Sequence, residues 1–162
     1  MSKAFVKDEN AADVDFDFEP LELDLEKYYV TPQGFADLQS ELLKWRQTEN
    51  QTKDPHFAKA AKKRVHFLEK SLQKTEVIDP SLQRGDQVRF GATVSVQDEE
   101  GHLRTYRIVG ISEVDAELGK VSYISPIGKA LLGARAGDLV SLKTPQTEEE
   151  LEVIKVEFAP IH

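Results

Sequence analysis

The sequence of 162 residues contains no cysteine, a single methionine, a single tryptophan and no long apolar run. Without cysteine, disulfide bonds and thiolate metal sites are excluded. No apolar run approaches the roughly 20 residues that a membrane-spanning helix needs, and the N-terminus has no apolar signal-peptide core. We therefore expect a cytoplasmic protein without membrane contact.

Histidines are few and scattered. Because none of them stands at ligand spacing from a carboxylate, we expect no zinc or other metal site. The four are His56, His66, His102 and His162.

Basic residues are also too few for general binding to duplex DNA. The formal net charge is −8, whereas duplex binding needs several Lys or Arg side chains on phosphates. The imbalance is uneven, because residues 1–30 carry nine acids and three bases while residues 31–79 carry seven acids and nine bases. Residues 80–162 carry thirteen acids and nine bases, so a mildly basic segment lies between two acidic ends.

The acidic segment 1–29 alternates acids loosely with single apolar residues. Its charge and terminal position predict a disordered tail. The alternative is an acidic and aromatic segment that docks on a basic surface.

Two helical patterns fill residues 30–80. Thr31-Pro32 and Asp54-Pro55 each predict an N-cap followed by Pro at the first helical position. Apolar residues then recur three and four positions apart in each pattern, and the polar stretch 48–54 separates them. The spacing predicts an antiparallel coiled-coil hairpin with Trp45 beside small alanines of the second arm, which ends at Asp79-Pro80.

From residue 81 the apolar period changes to two, which predicts a sheet domain over 81–162. Predicted strands begin with the alternating run Val88–Val96, and the change of phase within Leu151–Phe158 predicts a β-bulge. Ser125-Pro126, with Gly133 as a stop, predicts one short helix. The fold class is α+β: a helical hairpin followed by a mostly antiparallel sheet with one short helix.

Several strings resemble the Gre transcript-cleavage and elongation factors (GreA/GreB-like) of bacterial RNA polymerase. The resemblance covers roughly residues 29–158 and keeps the order of that family. The strings that carry it are Thr31-Pro32-Gln33-Gly34-Phe35, the stretch Lys63–Leu72, the stretch Val88–Val94, and Ser125-Pro126-Ile127-Gly128.

The resemblance implies that the sheet domain is FKBP-like and docks on the rim helices of the polymerase's largest subunit. Ile124 departs from the family, which often has Asp or Asn at that place. The implied docking residues are Tyr123, Ile124, Ser125, Pro126, Ile127 and Lys129.

In the Gre family the hairpin enters the secondary channel of the polymerase, and acidic residues at its tip hold Mg²⁺ and the attacking water. This hairpin is shorter by about twenty residues, about ten in each arm, or about 15 Å at 1.5 Å per residue. It also lacks the acidic tip motif of the family. Glu49 and Asp54 are the acids near the tip, where turn and cap roles compete with metal binding.

Basic residues of the second arm give a candidate contact with nascent RNA, against the alternative of a solvated helix face. They are Lys59, Lys62, Lys63 and Arg64.

Three functions remain open. The first is an elongation regulator that binds RNA polymerase near the secondary channel without stimulating RNA cleavage, and competes with Gre factors that do. The second is a genuine cleavage cofactor for backtracked complexes, and the third, from fold analogy alone, is a peptidyl-prolyl isomerase. We expect a monomer that is not an enzyme and has no catalytic residues. We expect no cofactor of its own either, since Mg²⁺ of the polymerase active site enters only under the second function.

Overall fold

A computed structural model describes residues 27–158, which mix helices with a mostly antiparallel sheet and so confirm the predicted mixture of helix and sheet. The chain divides into two compact units, one over residues 36–74 and the other over residues 28–35 together with 75–158. We call them the helical unit and the sheet unit. The elements are β1 (Tyr28–Val30), α1 (Pro32–Gln51), α2 (Pro55–Gln73), β2 (Thr75–Val77), β3 (Thr93–Gln97), β4 (Leu103–Val109), β5 (Lys120–Ser122), α3 (Pro126–Leu131), β6 (Leu139–Lys143) and β7 (Glu148–Glu157).

The helical unit buries the apolar faces predicted from the sequence spacing. Two leucines of α1 and three apolar residues of α2 are buried, namely Leu38, Leu42, Ala61, Val65 and Leu68. Two ion pairs connect the helices: a guanidinium nitrogen of Arg64 lies 2.7 Å from the Glu41 carboxylate, and one of Arg46 lies 2.6 Å from Glu69.

Trp45 has an aromatic neighbour that the sequence did not predict. Its ring lies 6.3 Å from the ring of Phe57, measured between centroids, at an interplanar angle of 51°. The small residue Ala61 is fully buried in α2, but the aromatic neighbour of Trp45 comes from the first turn of that helix. Aromatic rings favour such tilted contacts over a flat sandwich.

The connection between α1 and α2 is shorter than predicted. The helix α1 continues to Gln51, so only residues 52–54 connect it to α2. The hydroxyl of Thr48 donates to the carbonyl of Lys44, 3.0 Å away and one turn earlier, and therefore satisfies its polar group inside the helix.

The second helix also ends earlier than the predicted Asp79-Pro80. It stops at Gln73, and the following residues form β2, which pairs in parallel with β1 so that Tyr28 lies opposite Thr75. The Asp79 carboxylate instead caps a 3-10 turn by accepting from the backbone N–H of Ser81 at 2.9 Å. The β-branched residues Thr75 and Val77 favour a strand here.

The pairing of β1 also corrects the predicted end of the tail. Residues 28 and 29 belong to a strand and not to a disordered segment. Residues 1–26, which carry the rest of that prediction, lie outside the described residues.

The main sheet has five strands in the order β5-β4-β3-β7-β6, with β4 and β5 parallel and the other neighbours antiparallel. The predicted bulge is confirmed, because the register of β3 and β7 shifts where Ser95 pairs with Lys155 and Val96 with Val153. Ile154 is the extra residue, and it is 42% exposed instead of facing the core. The buried apolar side chains of the sheet unit are Val88, Ala92, Val94, Val96, Ile108, Leu131, Ala134, Leu151 and Val153.

The first predicted strand of the sheet begins later than expected. Val88 and Phe90 are buried, but β3 starts only at Thr93. Gly91 has a φ of +89° and forms a turn with Ala92, whose amide donates to the Arg89 carbonyl at 3.0 Å. Glycine adopts a positive φ without steric cost, so the chain turns there before it enters the sheet.

Candidate functional site

The Ser-Pro string forms a rigid corner between β5 and α3. The Ser125 hydroxyl accepts from the Gly128 backbone N–H at 3.0 Å and donates to the Ser122 carbonyl at 2.7 Å. The Ser122 hydroxyl in turn accepts from the Ile124 amide at 3.1 Å. Pro126 occupies the first turn of α3, where a missing N–H costs nothing. The predicted N-cap and helix start are therefore confirmed.

Gly128 lets α3 pack closely on the end of β5. An ideal Cβ on this residue would lie 2.1 Å from the Ser122 carbonyl oxygen, which is far inside van der Waals contact. Glycine is therefore required by space and not by its backbone angles. This close packing fixes the outer edge of the corner.

The structure places all six predicted docking residues on this corner. Pro126 and Lys129 are exposed, and the other four are half-buried, namely Tyr123, Ile124, Ser125 and Ile127. Ile127 packs partly against the sheet core. The corner therefore offers a polar and apolar edge whose backbone is held by its own hydrogen bonds.

Tyr123 belongs to a cluster of three aromatic rings. Its ring centroid lies 5.4 Å from that of Tyr29 and 5.6 Å from that of Phe90, both in edge-on geometry. The Tyr29 amide donates to the Tyr123 hydroxyl at 3.4 Å, and burial raises the pKa of that hydroxyl. Tyr29 was not predicted as part of this cluster, although the β-forming run Tyr28–Val30 directly before a helix cap was a visible signal.

Glu113 is a second residue that the sequence analysis missed. Its carboxylate accepts from the backbone N–H of Thr31 at 3.0 Å, from the Thr31 hydroxyl, and from the Gly110 N–H at 2.9 Å. Thr31 is fully buried and caps the first turn of α1 by accepting from the Gly34 amide at 3.1 Å. A Cβ on Gly34 would lie 2.3 Å from the Glu113 carboxyl carbon, so this glycine makes room for the carboxylate.

The two predicted tip residues have different environments. The Asp54 carboxylate accepts from the His56 amide at 3.0 Å and caps α2, and its own amide donates to the Thr52 hydroxyl at 3.3 Å. Glu49 is half-buried in the last turns of α1. Within residues 27–158, no group of three or more His, Asp or Glu side chains is arranged to hold a metal ion.

Among the basic residues of the second arm, Arg64 differs from the lysines. It is paired with Glu41, and its guanidinium carbon lies 5.3 Å from the Phe67 ring centroid. The other three, Lys59, Lys62 and Lys63, are exposed. An approaching polyanion would therefore meet the lysines with their charge available.

His102 corrects one sequence-based expectation. Its Nδ1 lies 3.3 Å from the Asp98 carboxylate, so one histidine does pair with a carboxylate. The pair closes the β3–β4 hairpin, where Asp98 also accepts from the His102 amide at 2.9 Å. His162 lies outside the described residues.

Over residues 27–158 no helix has the length and the apolar character that a membrane crossing would need.

A family model described as "Transcription elongation factor, GreA/GreB, C-term" matches residues 83–158. Transcription elongation factor GreB of Neisseria meningitidis serogroup B is 45% identical over 100 residues, which cover 61% of this chain and 61% of that protein. The chain thus spans less than two thirds of that relative. GreA of Bartonella tribocorum is 34% identical over 157 residues, covering 83% of this chain and 99% of that protein. GreA of Rhodospirillum rubrum is 36% identical over 156 residues, covering 83% of this chain and 99% of that protein.

Among solved structures, the GreA factor homolog 1 (Gfh1) protein of Thermus thermophilus matches with a TM-score of 0.41 and 25% identity, covering 81% of this chain and 99% of that one. The GreA/GreB factor from Nitrosomonas europaea matches with a TM-score of 0.42 and 23% identity, covering 82% of this chain and 98% of that one.

The names of these relatives overturn the expectation that the protein is not an enzyme. They are Gre transcription elongation factors, and Gre factors stimulate RNA cleavage, which is a catalytic activity. The matched family model and the GreA relatives, which are aligned over almost their full length, also agree with the motifs from which the resemblance was drawn. The chain belongs to the GreA/GreB family of transcription elongation factors.

Proposed function

We propose that the protein is an elongation regulator that binds RNA polymerase near the secondary channel. In this proposal the sheet unit is an FKBP-like docking domain, and its Ser-Pro corner meets the rim helices of the largest subunit. The two long helices form an antiparallel coiled-coil hairpin that points into the channel. Family membership is the single observation that carries the proposal, and the self-bonded corner supports it by presenting Pro126 and Lys129 to a partner.

In the same proposal, the hairpin is too short to reach the active site through the channel as the hairpin of a full-length Gre factor does. Its helices contain 20 and 19 residues and are joined by residues 52–54. The alignment with Bartonella tribocorum GreA extends over 157 positions but uses 83% of this chain, so about 20 positions of that relative have no counterpart here. If these belong to the two arms, the tip retreats by about 15 Å.

A retreat of this size exceeds what a side chain can recover. A Mg²⁺–oxygen bond is about 2 Å long and tolerates little distortion. The predicted consequence is that the bound protein occupies the channel without stimulating cleavage and competes with Gre factors that reach the active site. We also propose that it acts as a monomer in the cytoplasm and that the exposed Lys59, Lys62 and Lys63 contact nascent RNA.

Membership of the GreA/GreB family supports a second function, genuine stimulation of cleavage in backtracked complexes. In that case Glu49 or Asp54 would help to hold Mg²⁺ of the polymerase active site. Asp54 already serves as a helix cap, because its carboxylate accepts from the His56 amide. The isomerase alternative gains no support from the described residues, since the rings of Phe90 and Tyr123 pack on each other and on Tyr29.

Polymerase binding of corner variants tests the docking proposal. We expect Lys129→Glu to weaken binding about tenfold or more, because it reverses an exposed charge at the interface. The double variant Ser125→Ala, Pro126→Ala changes the same corner and also removes the N-cap of α3. Loss of this cap should lower the free energy of unfolding by about 1 kcal/mol. Lys143→Glu, exposed on β6, is the matched control and should bind normally. Unchanged co-purification of both corner variants with polymerase would refute the assignment.

A further inference from the structure

An exposed basic stripe follows one side of α2. Its members are spaced three and four residues apart, which places them on one face of a helix. The buried residues Ala61, Val65 and Leu68 take the opposite face. We call this face the basic stripe; it consists of Lys59, Lys62, Lys63, His66 and Lys70, all exposed.

The charges of the basic stripe are not neutralised within the helical unit. Arg46 and Arg64 of the same unit are each paired with a glutamate. By contrast, within residues 27–158 no carboxylate lies within 4.0 Å of any lysine of the stripe. Unpaired charges of one sign along a helix attract a polyanion.

The chain itself supplies a complementary polyanion. Residues 13–26 contain seven acidic side chains and no Lys or Arg. This acidic segment ends one residue before β1, and β1 pairs with β2 so that Tyr28 lies opposite Thr75. Because α2 ends at Gln73, the segment joins the described structure beside the chain that leaves α2.

The acidic segment is long enough to cover the stripe. Its 14 residues span up to about 46 Å when extended, at about 3.3 Å per residue. From Lys59 to Lys70 the stripe rises through 11 residues, which is about 17 Å at 1.5 Å per residue. A partly extended segment can therefore place several carboxylates along the stripe at once.

We propose that residues 13–26 dock on the basic stripe of the same molecule and shield it from other polyanions. Each exposed ion pair contributes little by itself, but the tether holds the segment at an effective concentration in the millimolar range. The contact is therefore reversible and sensitive to salt. A polyanionic partner therefore competes with the segment for the stripe.

Paramagnetic relaxation in the full-length chain tests this contact directly. The sequence has no cysteine, so Ala12→Cys gives one site for a nitroxide label beside the acidic segment. We expect selective broadening of the backbone amides between Lys59 and Lys70 at low salt. The broadening should disappear near 1 M salt, where the screening length falls to about 3 Å.

Two charge variants of the labelled chain provide the matched comparison. Replacing the four lysines of the stripe by Gln should abolish the broadening, and so should replacing the seven acids of residues 13–26 by Asn and Gln. Replacing Lys143 and Lys155, which are exposed in the sheet unit, by Gln should leave it unchanged. Broadening that is absent at low salt, or that persists in either charge variant, overturns the proposal.

A single-stranded RNA oligonucleotide added to the labelled chain distinguishes the occupants. If the acidic segment covers the stripe, RNA should reduce the broadening as it displaces the segment, and neutralising the seven acids should tighten RNA binding about three- to tenfold, depending on salt. RNA that binds the stripe with equal affinity in both proteins overturns the proposal and makes nucleic acid the occupant. The measurement contains no polymerase, so its outcome is independent of the function proposed above.

Discussion

Glu113 shows how one side chain completes a helix start that local sequence cannot complete alone. Three hydrogen bonds connect its carboxylate to Thr31 and Gly110, and Thr31 caps α1. The residues Thr31 and Glu113 are 82 positions apart in the chain. Local patterns therefore identify Thr31 as a cap but give no sign of its partner.

Removal of this carboxylate should destabilise the sheet unit. We expect Glu113→Ala to lower the free energy of unfolding by about 2–3 kcal/mol, because two partly buried N–H groups lose a charged acceptor. Glu113→Gln keeps one acceptor oxygen and should lose less. Urea unfolding followed by tyrosine fluorescence measures the difference, with the exposed Glu117→Ala as control. A loss below about 0.5 kcal/mol for Glu113→Ala would be a surface-type effect and would contradict this role.

Asp98 gives the clearest pH dependence at the residue scale. Its side chain is only 8% exposed, and the backbone N–H of His102, then that of Glu100, hold the pKa of its carboxyl below the ordinary 3.8, against the opposing effect of burial. A guanidinium nitrogen of Arg104 lies 3.1 Å from the Asp98 carboxylate and also lowers the pKa of this carboxyl. Because the folded pKa is the lower one, ionised Asp98 stabilises the fold above the ordinary pKa, and this contribution is lost as the pH falls through the folded pKa.

A carboxyl ¹³C titration of the full-length protein should show this directly. We expect the Asp98 resonance to titrate with a midpoint below 3.8. The stability difference between the natural protein and Asp98→Asn should shrink as the pH falls below that value, since both side chains are then uncharged. A midpoint at or above 3.8 would show that the backbone donors do not hold the carboxylate.

At the scale of elements, the sequence predicted features that depend on residues close together in the chain. The caps Asp54 and Ser125 followed from a short polar side chain before a proline, and the bulge in β7 followed from a change of phase in the apolar pattern. The parallel pairing of β1 with β2 was missed because it joins segments 47 residues apart. Three-residue strands carry too little periodicity to be predicted from sequence.

The same distinction applies to the candidate site. Ser125 and Pro126 were identified from their order in the chain, and the structure gives them the expected local roles. The aromatic neighbours of Tyr123 were not predictable as a cluster, because Tyr29 and Phe90 come from distant parts of the sequence. Periodicity assigns a residue to a face but does not identify its neighbours.

The corner depends on one glycine, which gives a prediction for α3. We expect Gly128→Ala to destabilise the sheet unit by about 2 kcal/mol or more, because the added methyl would overlap the Ser122 carbonyl oxygen at 2.1 Å. Lys129→Ala, which is exposed on the same helix, should change stability by less than about 0.5 kcal/mol. Urea unfolding and the amide spectrum of the corner measure both. Equal stability of the two variants would mean that the close packing does not matter.

At the scale of the whole molecule, the account rests on the length of the helical unit in a chain of the GreA/GreB family. In the proposed function, helices of 20 and 19 residues set the reach of the tip, and the sheet unit provides the docking face. Depth in the channel and affinity for polymerase should therefore vary independently. A full-length acidic tip grafted between Arg46 and Ala60 should add cleavage stimulation without changing polymerase affinity.

Transcript cleavage in backtracked polymerase complexes, measured with a full-length Gre factor present, tests whether this protein blocks cleavage without stimulating it. We predict that rising concentrations of this protein lower the cleavage rate, that Lys129→Glu does not, and that the grafted protein restores cleavage by itself. In the proposed function the first and third results follow from a tip that stops about 15 Å short of the active site, and the second follows from the reversed charge on the docking face. Mg²⁺-dependent cleavage stimulated by the natural protein alone, and abolished by Glu49→Ala or Asp54→Ala, would contradict the account.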